Sequence, residues 1–234
     1  MKKLIEILRR TSAEDAPWWQ TFAFATDDEE ATVATALRAL NERADLRDVE
    51  GAPAEPIRWE NSCLQRKCGA CAMVINGVPR LACDTRLAEL RGERVRLQPL
   101  SKFAVVADLV VDRDSLMSRL REAQAWLEGD AELRDRRWNV AYNASRCLQC
   151  GLCLEVCPNF AADGDYGGMA AMVPLARLLS QAPKEQREAL AESYRETVYG
   201  GCAKSLACRK VCPAELDLDG LLSRSNAAAI WRRW

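Results

Sequence analysis

Eleven cysteines, gathered into three groups, constrain this chain more than any other feature of its sequence. An odd number of thiols fits a disulfide framework poorly, and a cytoplasmic chain would keep its thiols reduced. The chain contains no histidine, which removes the commonest general base and the commonest metal ligand. We therefore interpret the cysteines as metal ligands and expect no catalytic residue on this chain. The groups are Cys63, Cys68, Cys71 and Cys83; Cys147, Cys150, Cys153 and Cys157; and Cys202, Cys208 and Cys212.

The first group has the spacing of a plant-type [2Fe-2S] site, in which three thiolates lie on one tight loop and a fourth comes from a neighbouring strand. The dipeptide Asn76-Gly77 is a strong hairpin signal, because both residues tolerate positive φ, and this hairpin would return Cys83 to the loop. Gly69 allows backbone N–H groups to approach the sulfurs. The alternative is a structural zinc site, although zinc ligands usually form two C-x2-C pairs and this group has one.

The second group, which ends in Cys157-Pro158, matches the run of bacterial two-cluster ferredoxins, in which the fourth cysteine binds the other cluster. The third group reads as the partner run, with Ser205 where its second cysteine is expected. Crossing the fourth cysteines predicts a [4Fe-4S] cluster on Cys147, Cys150, Cys153 and Cys212. The remaining Cys157, Cys202 and Cys208 predict a [3Fe-4S] cluster. The alternative is that a Ser205 alkoxide retains a fourth iron, although hydroxyl is a poor ligand at neutral pH.

Hydrophobic periodicity predicts an α+β fold with two domains. Alternating apolar residues indicate strands at 3–8, 20–25, 72–75 and 94–97, and a helix is expected at 32–40. This mixture predicts a β-grasp [2Fe-2S] ferredoxin-like domain over residues 1–105. From Asp114 onward the pattern is helical, so residues 106–234 are expected to form an all-α two-cluster ferredoxin-like domain.

Composition and charge exclude several classes of function. Lys and Arg total 33 against 34 Asp and Glu, so we expect no nucleic-acid partner. The apolar run at 103–111 is interrupted by Asp108 and is too short to span a bilayer. No secretory signal is recognised, so the chain is expected to stay in the cytoplasm. The glycines lack a dinucleotide fingerprint, and flavin is therefore expected on another protein.

These cysteine groups, together with 79–83, 108–112 and both Cys-Pro pairs, resemble the iron-sulfur subunit of the succinate dehydrogenase and fumarate reductase family. The resemblance implies electron flow from FAD to [2Fe-2S], [4Fe-4S], [3Fe-4S] and quinone. It implies two partners, an FAD-containing flavoprotein and a membrane-anchor subunit with a quinone site, and a peripheral place on the cytoplasmic face of the membrane. No site for succinate or fumarate is expected on this chain. The alternative is an adaptor for another flavoenzyme, such as a soluble thiol-linked fumarate reductase, although no additional cysteine-rich extension follows the third group.

The resemblance places the quinone beside Cys157, which makes Pro158 and Asn159 candidate quinone-proximal residues. Many family members carry a tryptophan pair after this position, whereas this chain has Phe160-Ala161-Ala162, and Ala203 stands where many carry histidine. Asn159 would donate a hydrogen bond to a quinone carbonyl, or else only cap the turn after Pro158. The terminal Trp231-Arg232-Arg233-Trp234 is interpreted as a helix tail that packs on a subunit.

Overall fold

The structure, a computed structural model, describes residues 1–132 and 138–231. The chain divides into two compact units, Met1–Asp112 and Arg113–Trp234. The predicted boundary at residues 105 and 106 falls a few residues earlier, inside a hairpin that belongs to the first unit. The tail expected to pack on a subunit, Trp231 to Trp234, lies outside the described residues except for Trp231, which is exposed.

The first unit is built on a five-stranded mixed sheet with the order β2-β1-β5-β3-β4. β1 pairs antiparallel with β2 and parallel with β5, while β3 pairs antiparallel with both β4 and β5. The four predicted strands are confirmed, and β5 shows the alternation most clearly, with Val95 and Leu97 buried and its two arginines exposed. The strands are β1 (Lys2–Arg9), β2 (Trp18–Ala25), β3 (Ala72–Ile75), β4 (Val78–Leu81) and β5 (Arg94–Gln98).

The predicted helix is also confirmed, as α1 (Val33–Asn41). Thr32 caps it reciprocally: its Oγ1 accepts from Thr35 N at 3.2 Å, and its own N–H donates to Thr35 Oγ1 at 3.1 Å. Leu37 and Leu40 are fully buried on one side of the helix. The helix packs against β2 and the 3₁₀ turn Ala82–Asp84, so one of its ends lies beside the returning Cys83.

A hairpin of β6 (Val105–Ala107) and β7 (Val110–Val111) completes the first unit and was not predicted. Its turn holds Asp108, whose carboxylate forms a buried ion pair with Arg9 at 3.0 Å between Oδ1 and Nε. The two carboxylate oxygens also accept hydrogen bonds from Arg10 N at 2.8 Å and Arg58 N at 2.9 Å. Such a pair is tolerated in the interior because its charges are hydrogen-bonded on every side.

The described residues of the second unit, 113–132 and 138–231, form helices and no strand. This agrees with the helical pattern expected from Asp114 onward. A π-helical turn, Arg195–Tyr199, continues α6 and ends at Gly200, two residues before Cys202. The helices are α2 (Asp114–Glu122), α3 (Trp138–Ser145), α4 (Leu152–Glu155), α5 (Gly168–Gln181), α6 (Arg187–Tyr194), α7 (Ala207–Val211) and α8 (Leu218–Ala229).

Helix α5 is the centre of the second unit. It packs against α3, α4, α6 and α8. It is buried along most of its length and is continuous, although it contains Pro174. Two of these neighbouring helices are also joined to each other: the fully buried Tyr194 of α6 donates a hydrogen bond to Asn226 Oδ1 of α8 at 2.7 Å. In the described part of the chain, no helix combines the length and apolar character needed to cross a membrane.

Removing the charge of Asp108 should destabilise the first unit, because Arg9 would then be buried without a counter-charge. We expect Asp108→Asn to lower the free energy of unfolding by about 3 kcal/mol. The matched control is Asp45→Asn, which breaks an exposed pair with Arg47 and should change stability by less than about 1 kcal/mol. Urea denaturation followed by circular dichroism measures both variants. Equal midpoints for the two would contradict a stabilising role of the buried pair.

Candidate metal centres

The loop of the first cysteine group surrounds a sulfur with backbone N–H groups. Gln65 N and Lys67 N donate to Cys63 Sγ at 3.3 and 3.4 Å. The Cys68 thiol also hydrogen-bonds to Cys63. N–H groups that converge on a sulfur stabilise its thiolate form, which is the form that binds metal.

The same loop is joined to the fourth cysteine of the group. Arg66 N donates to Cys83 Sγ at 3.4 Å, and Cys83 N donates to Cys71 Sγ at 3.5 Å. The Arg66 guanidinium lies 3.3 Å from the carboxylate of Asp84, the residue after Cys83. The structure therefore brings the four predicted ligands of the first group together.

Left-handed backbone conformations make this approach possible. Leu64 and Arg66 have φ of 52° and 58°, and Gly69 has φ of 78°. The predicted hairpin turn is confirmed, since Asn76 and Gly77 both have positive φ, as a tight turn between β3 and β4 requires. Conformations of this kind are unfavourable for Leu and Arg and persist where the surroundings impose them.

The two sides of the first group differ in their electrostatics. The Gln65 N–H, followed by the Cys68 thiol, lowers the pKa of Cys63 to about 7. Burial raises the pKa of Cys71 to about 12. Cys63 is thus ready to bind metal near neutral pH, whereas Cys71 needs the positive charge of a bound metal to lose its proton.

A cavity in the second unit is lined by Cys147, Cys150, Cys153 and Cys212, the four thiols predicted to hold the [4Fe-4S] cluster. Cys212 thus lies with the first three cysteines of the other run. Apolar side chains form much of the remaining wall, including Leu148, Met169, Val173, Leu216 and Leu218. An apolar wall keeps water from the bound group and strengthens every electrostatic interaction inside.

Burial acts on the pKa of Cys147, Cys150 and Cys153 in this cavity. It raises the pKa of Cys150 to about 11, and it raises the pKa of Cys147 and Cys153 as well. Four thiolates so close together in an apolar cavity would repel one another. Only a cationic metal group can offset that repulsion, so the donor set fits a cluster and not free thiolates.

The thiols of Cys157 and Cys202 lie within electrostatic range of Cys208, and all three lie within electrostatic range of Tyr166. Burial raises the pKa of Cys208. Burial also raises the pKa of Tyr166, whose hydroxyl hydrogen-bonds to Cys202. Tyr166 was not predicted, because a tyrosine outside the cysteine runs gives no local signal.

Gly201 lets Tyr166 approach Cys202. A Cβ on Gly201 would lie 2.3 Å from Tyr166 Cδ2, so no larger residue fits beneath the ring. Asn159, one of the residues expected near a quinone, donates from Nδ2 to the Gly201 carbonyl at 2.6 Å. Its amide thus holds the segment before Cys202. Pro158 and Asn159 are both exposed.

Ser205, predicted to stand at the lost ligand position, is exposed between Lys204 and Leu206. Both neighbours have left-handed backbone, with φ of 57° and 54°. Helix α7 begins directly afterwards and carries the buried Cys208.

Among residues 1–132 and 138–231, no three Cys, Asp or Glu side chains are grouped as the ligands of a single metal ion.

Comparison with known proteins gives two family matches and close relatives of similar length. A model described as a 2Fe-2S iron-sulfur cluster binding domain matches residues 4–118, and a 4Fe-4S dicluster domain matches residues 143–216. The succinate dehydrogenase iron-sulfur subunit of Bacillus subtilis is 32% identical over 234 residues, covering 94% of this chain and 89% of the relative. The fumarate reductase iron-sulfur subunit of Mycobacterium tuberculosis is 32% identical over 184 residues, covering 74% and 73%.

The fold is similar to that of a chain in the Mycobacterium smegmatis Sdh1 complex in the apo form, with a TM-score of 0.76 and 22% sequence identity. The match covers 98% of this chain and 97% of that chain. The likeness therefore extends over both units and includes all three cysteine groups.

A methyl group on Gly201 should disturb metal binding at Cys202, because it would collide with the root of the Tyr166 side chain. We expect Gly201→Ala to bind less iron per chain, whereas Gly200→Ala, whose new Cβ would meet nothing closer than Arg195 O at 4.0 Å, should bind as much as the unaltered chain. Iron and acid-labile sulfide assays on the purified chains measure this. Equal iron in both variants would show that Tyr166 need not pack against Gly201.

Proposed function

Because the chain belongs to the family of succinate dehydrogenase and fumarate reductase iron-sulfur subunits, we propose that it relays electrons between the FAD of a flavoprotein subunit and a quinone at a membrane anchor. The observation that carries this proposal is the union of a 2Fe-2S domain and a dicluster domain in one chain whose eleven cysteines all lie in the three groups. Flavin and quinone each exchange two electrons. A series of one-electron centres suits this task, because it passes these electrons between them one at a time.

The first unit is proposed to be a β-grasp domain that holds the [2Fe-2S] cluster on Cys63, Cys68, Cys71 and Cys83. The N–H groups aimed at Cys63 and Cys83 support this ligand set, since they offset the negative charge of a reduced cluster. The exposed Cys68 brings the cluster to the surface, where an electron can enter from a partner.

The [4Fe-4S] cluster is assigned to Cys147, Cys150, Cys153 and Cys212. Their shared cavity supports this crossed arrangement, in which each run lends its last cysteine to the other. By the same crossing, Cys157, Cys202 and Cys208 hold a [3Fe-4S] cluster. Ser205 leaves the fourth corner without a thiolate, so the labile iron is not retained.

The quinone is proposed to bind near the three-iron cluster, beside the exposed Pro158 and Asn159. One N–H of the Asn159 amide donates to Gly201 O and fixes the segment before Cys202, and the second N–H of the same nitrogen can donate to a quinone carbonyl. The chain would lie peripherally on the cytoplasmic side of the membrane, held by the anchor subunit. Succinate and fumarate would react on the flavoprotein.

A second candidate function is an adaptor that carries electrons for a soluble flavin-dependent oxidoreductase. The same three clusters would serve it, and the difference lies in the partner. Co-purification with a flavoprotein and a multi-helix anchor supports the first function, whereas a flavoprotein alone with no quinone activity supports the second.

Disrupting the last cluster of the electron-transfer chain should separate dye reduction at the flavin from quinone reduction. In the purified complex, we expect Cys208→Ala to retain succinate-dependent reduction of a dye that accepts electrons at the flavin, while quinone reduction falls to background. The control is Ser223→Ala, outside every cysteine group, which should leave both activities unchanged. Full quinone reduction in Cys208→Ala would contradict a relay through this chain.

Restoring a thiol at residue 205 should convert the three-iron centre. We expect Ser205→Cys to gain one iron per chain and to lose the paramagnetic signal of the oxidised three-iron cluster, because the fourth corner regains a thiolate. The control Ala203→Cys adds an exposed thiol nearby at a position that the ferredoxin spacing does not use. If Ser205→Cys keeps the signal unchanged, Ser205 does not occupy the lost ligand position.

A further inference from the structure

One side chain in the cavity of the second unit contacts a predicted ligand directly. Gln149 lies between Cys147 and Cys150 in the sequence, and its Nε2 is 3.5 Å from Cys147 Sγ and 3.1 Å from the carbonyl oxygen of Ala170 in α5. The backbone N–H of Gln149 also faces Cys147 Sγ. One residue therefore directs two donors at one sulfur.

A proline makes the Ala170 carbonyl available. In a regular helix this carbonyl would accept the N–H four residues later, but that residue is Pro174, which has no N–H. The carbonyl of a helix interior is thus left for another donor, and the Gln149 amide supplies it. Pro174, Ala170 and Gln149 form a connected series that ends at Cys147; we name it the amide relay.

The orientation of the amide follows from its neighbours. Ala170 O and Cys147 Sγ are both acceptors, so the nitrogen end and not Oε1 must face them. Oε1 is buried, and no donor among the described residues reaches it. Gln149 also has left-handed backbone, with φ of 51°. The unpartnered Oε1 and the left-handed backbone are both unfavourable. They occur together in the conformation that directs Nε2 of Gln149 at the Cys147 sulfur.

We infer that Gln149 is a positioning residue that raises the reduction potential of the cluster on Cys147, Cys150, Cys153 and Cys212, and that Pro174 holds it in place through Ala170. The physical reason is that reduction adds negative charge to the cluster and its sulfurs. A hydrogen bond to a ligand sulfur therefore stabilises the reduced form more than the oxidised form. This inference rests on the proposed ligand set and is independent of the partners and of the quinone.

The test compares two glutamines that share an unusual backbone. Gln149→Met keeps an unbranched side chain of similar length but removes the donor, and we expect the midpoint potential of the [4Fe-4S] cluster to fall. The control Gln124→Met alters a glutamine that is also left-handed, with φ of 45°, but exposed and outside the cavity. Potentiometric titration with electron paramagnetic resonance reads each cluster separately in the full chain. An unchanged potential in Gln149→Met, or the same shift at all three clusters, would overturn the inference.

Pro174→Ala tests the proline. The new N–H competes with Gln149 for Ala170 O, so the potential should move in the same direction as in Gln149→Met but by less. An unchanged potential would remove Pro174 from the amide relay.

A measurement on the unaltered sequence covers the case in which Gln149→Met fails to assemble the cluster. With ¹⁵N placed in glutamine side-chain amides, electron-nuclear double resonance of the reduced [4Fe-4S] cluster should show a nitrogen coupling. Absence of that nitrogen coupling would overturn the inference, even if the clusters and the electron-transfer activity are intact. A [4Fe-4S] signal that is missing from the unaltered chain would instead contradict the proposed function.

Discussion

Negative charge on closely spaced thiolates is the constraint on which the structure depends. Several thiolates cannot be gathered and partly buried unless a cationic group and oriented N–H donors offset their charge. The first group meets this need with backbone N–H groups, those of its loop directed at Cys63 and Cys83 and that of Cys83 directed at Cys71. In the second unit the apolar cavity strengthens the repulsion between thiolates, so the N–H donors of Gln149 and a bound cationic group must offset it. Cluster binding and folding are therefore coupled.

This coupling accounts for much of the backbone strain. Left-handed residues that are not glycine occur within or beside all three cysteine groups: Leu64, Arg66, Gln149, Lys204, Leu206 and Glu215. Each position is unfavourable by itself, and the bonds formed around the sulfurs offset the strain. Long-range contacts then hold the loops in place, as Asn159 and Tyr166 do on the segment before Cys202. The ligand loops are thus shaped by the group they hold.

Much of the fold could be predicted from the sequence because its signals are local. The period of β1 and β5, the Asn76-Gly77 turn and the helical pattern after Asp114 each depend on neighbouring residues. The hairpin of β6 and β7 was not predicted, because it is held by the ion pair between Asp108 and Arg9. These two residues are almost the whole unit apart in sequence. At the sites, spacing indicated the thiols. Spacing carries no information on Gln149 or Tyr166, whose importance comes from contacts with α5 and Gly201. The proposed quinone contacts of Pro158 and Asn159 likewise depend on partner chains that this sequence does not encode.

This one chain is proposed to carry three different iron-sulfur clusters, two of them with exchanged ligands. The most direct measurement is potentiometric electron paramagnetic resonance of the purified chain, compared with Cys212→Ser and Cys157→Ser. A crossed arrangement predicts three distinct signals, with Cys212→Ser affecting the four-iron signal and Cys157→Ser the three-iron signal. The opposite pattern, in which each substitution affects the cluster of its own run, would contradict the exchange, and a colourless zinc-containing chain would contradict the clusters themselves.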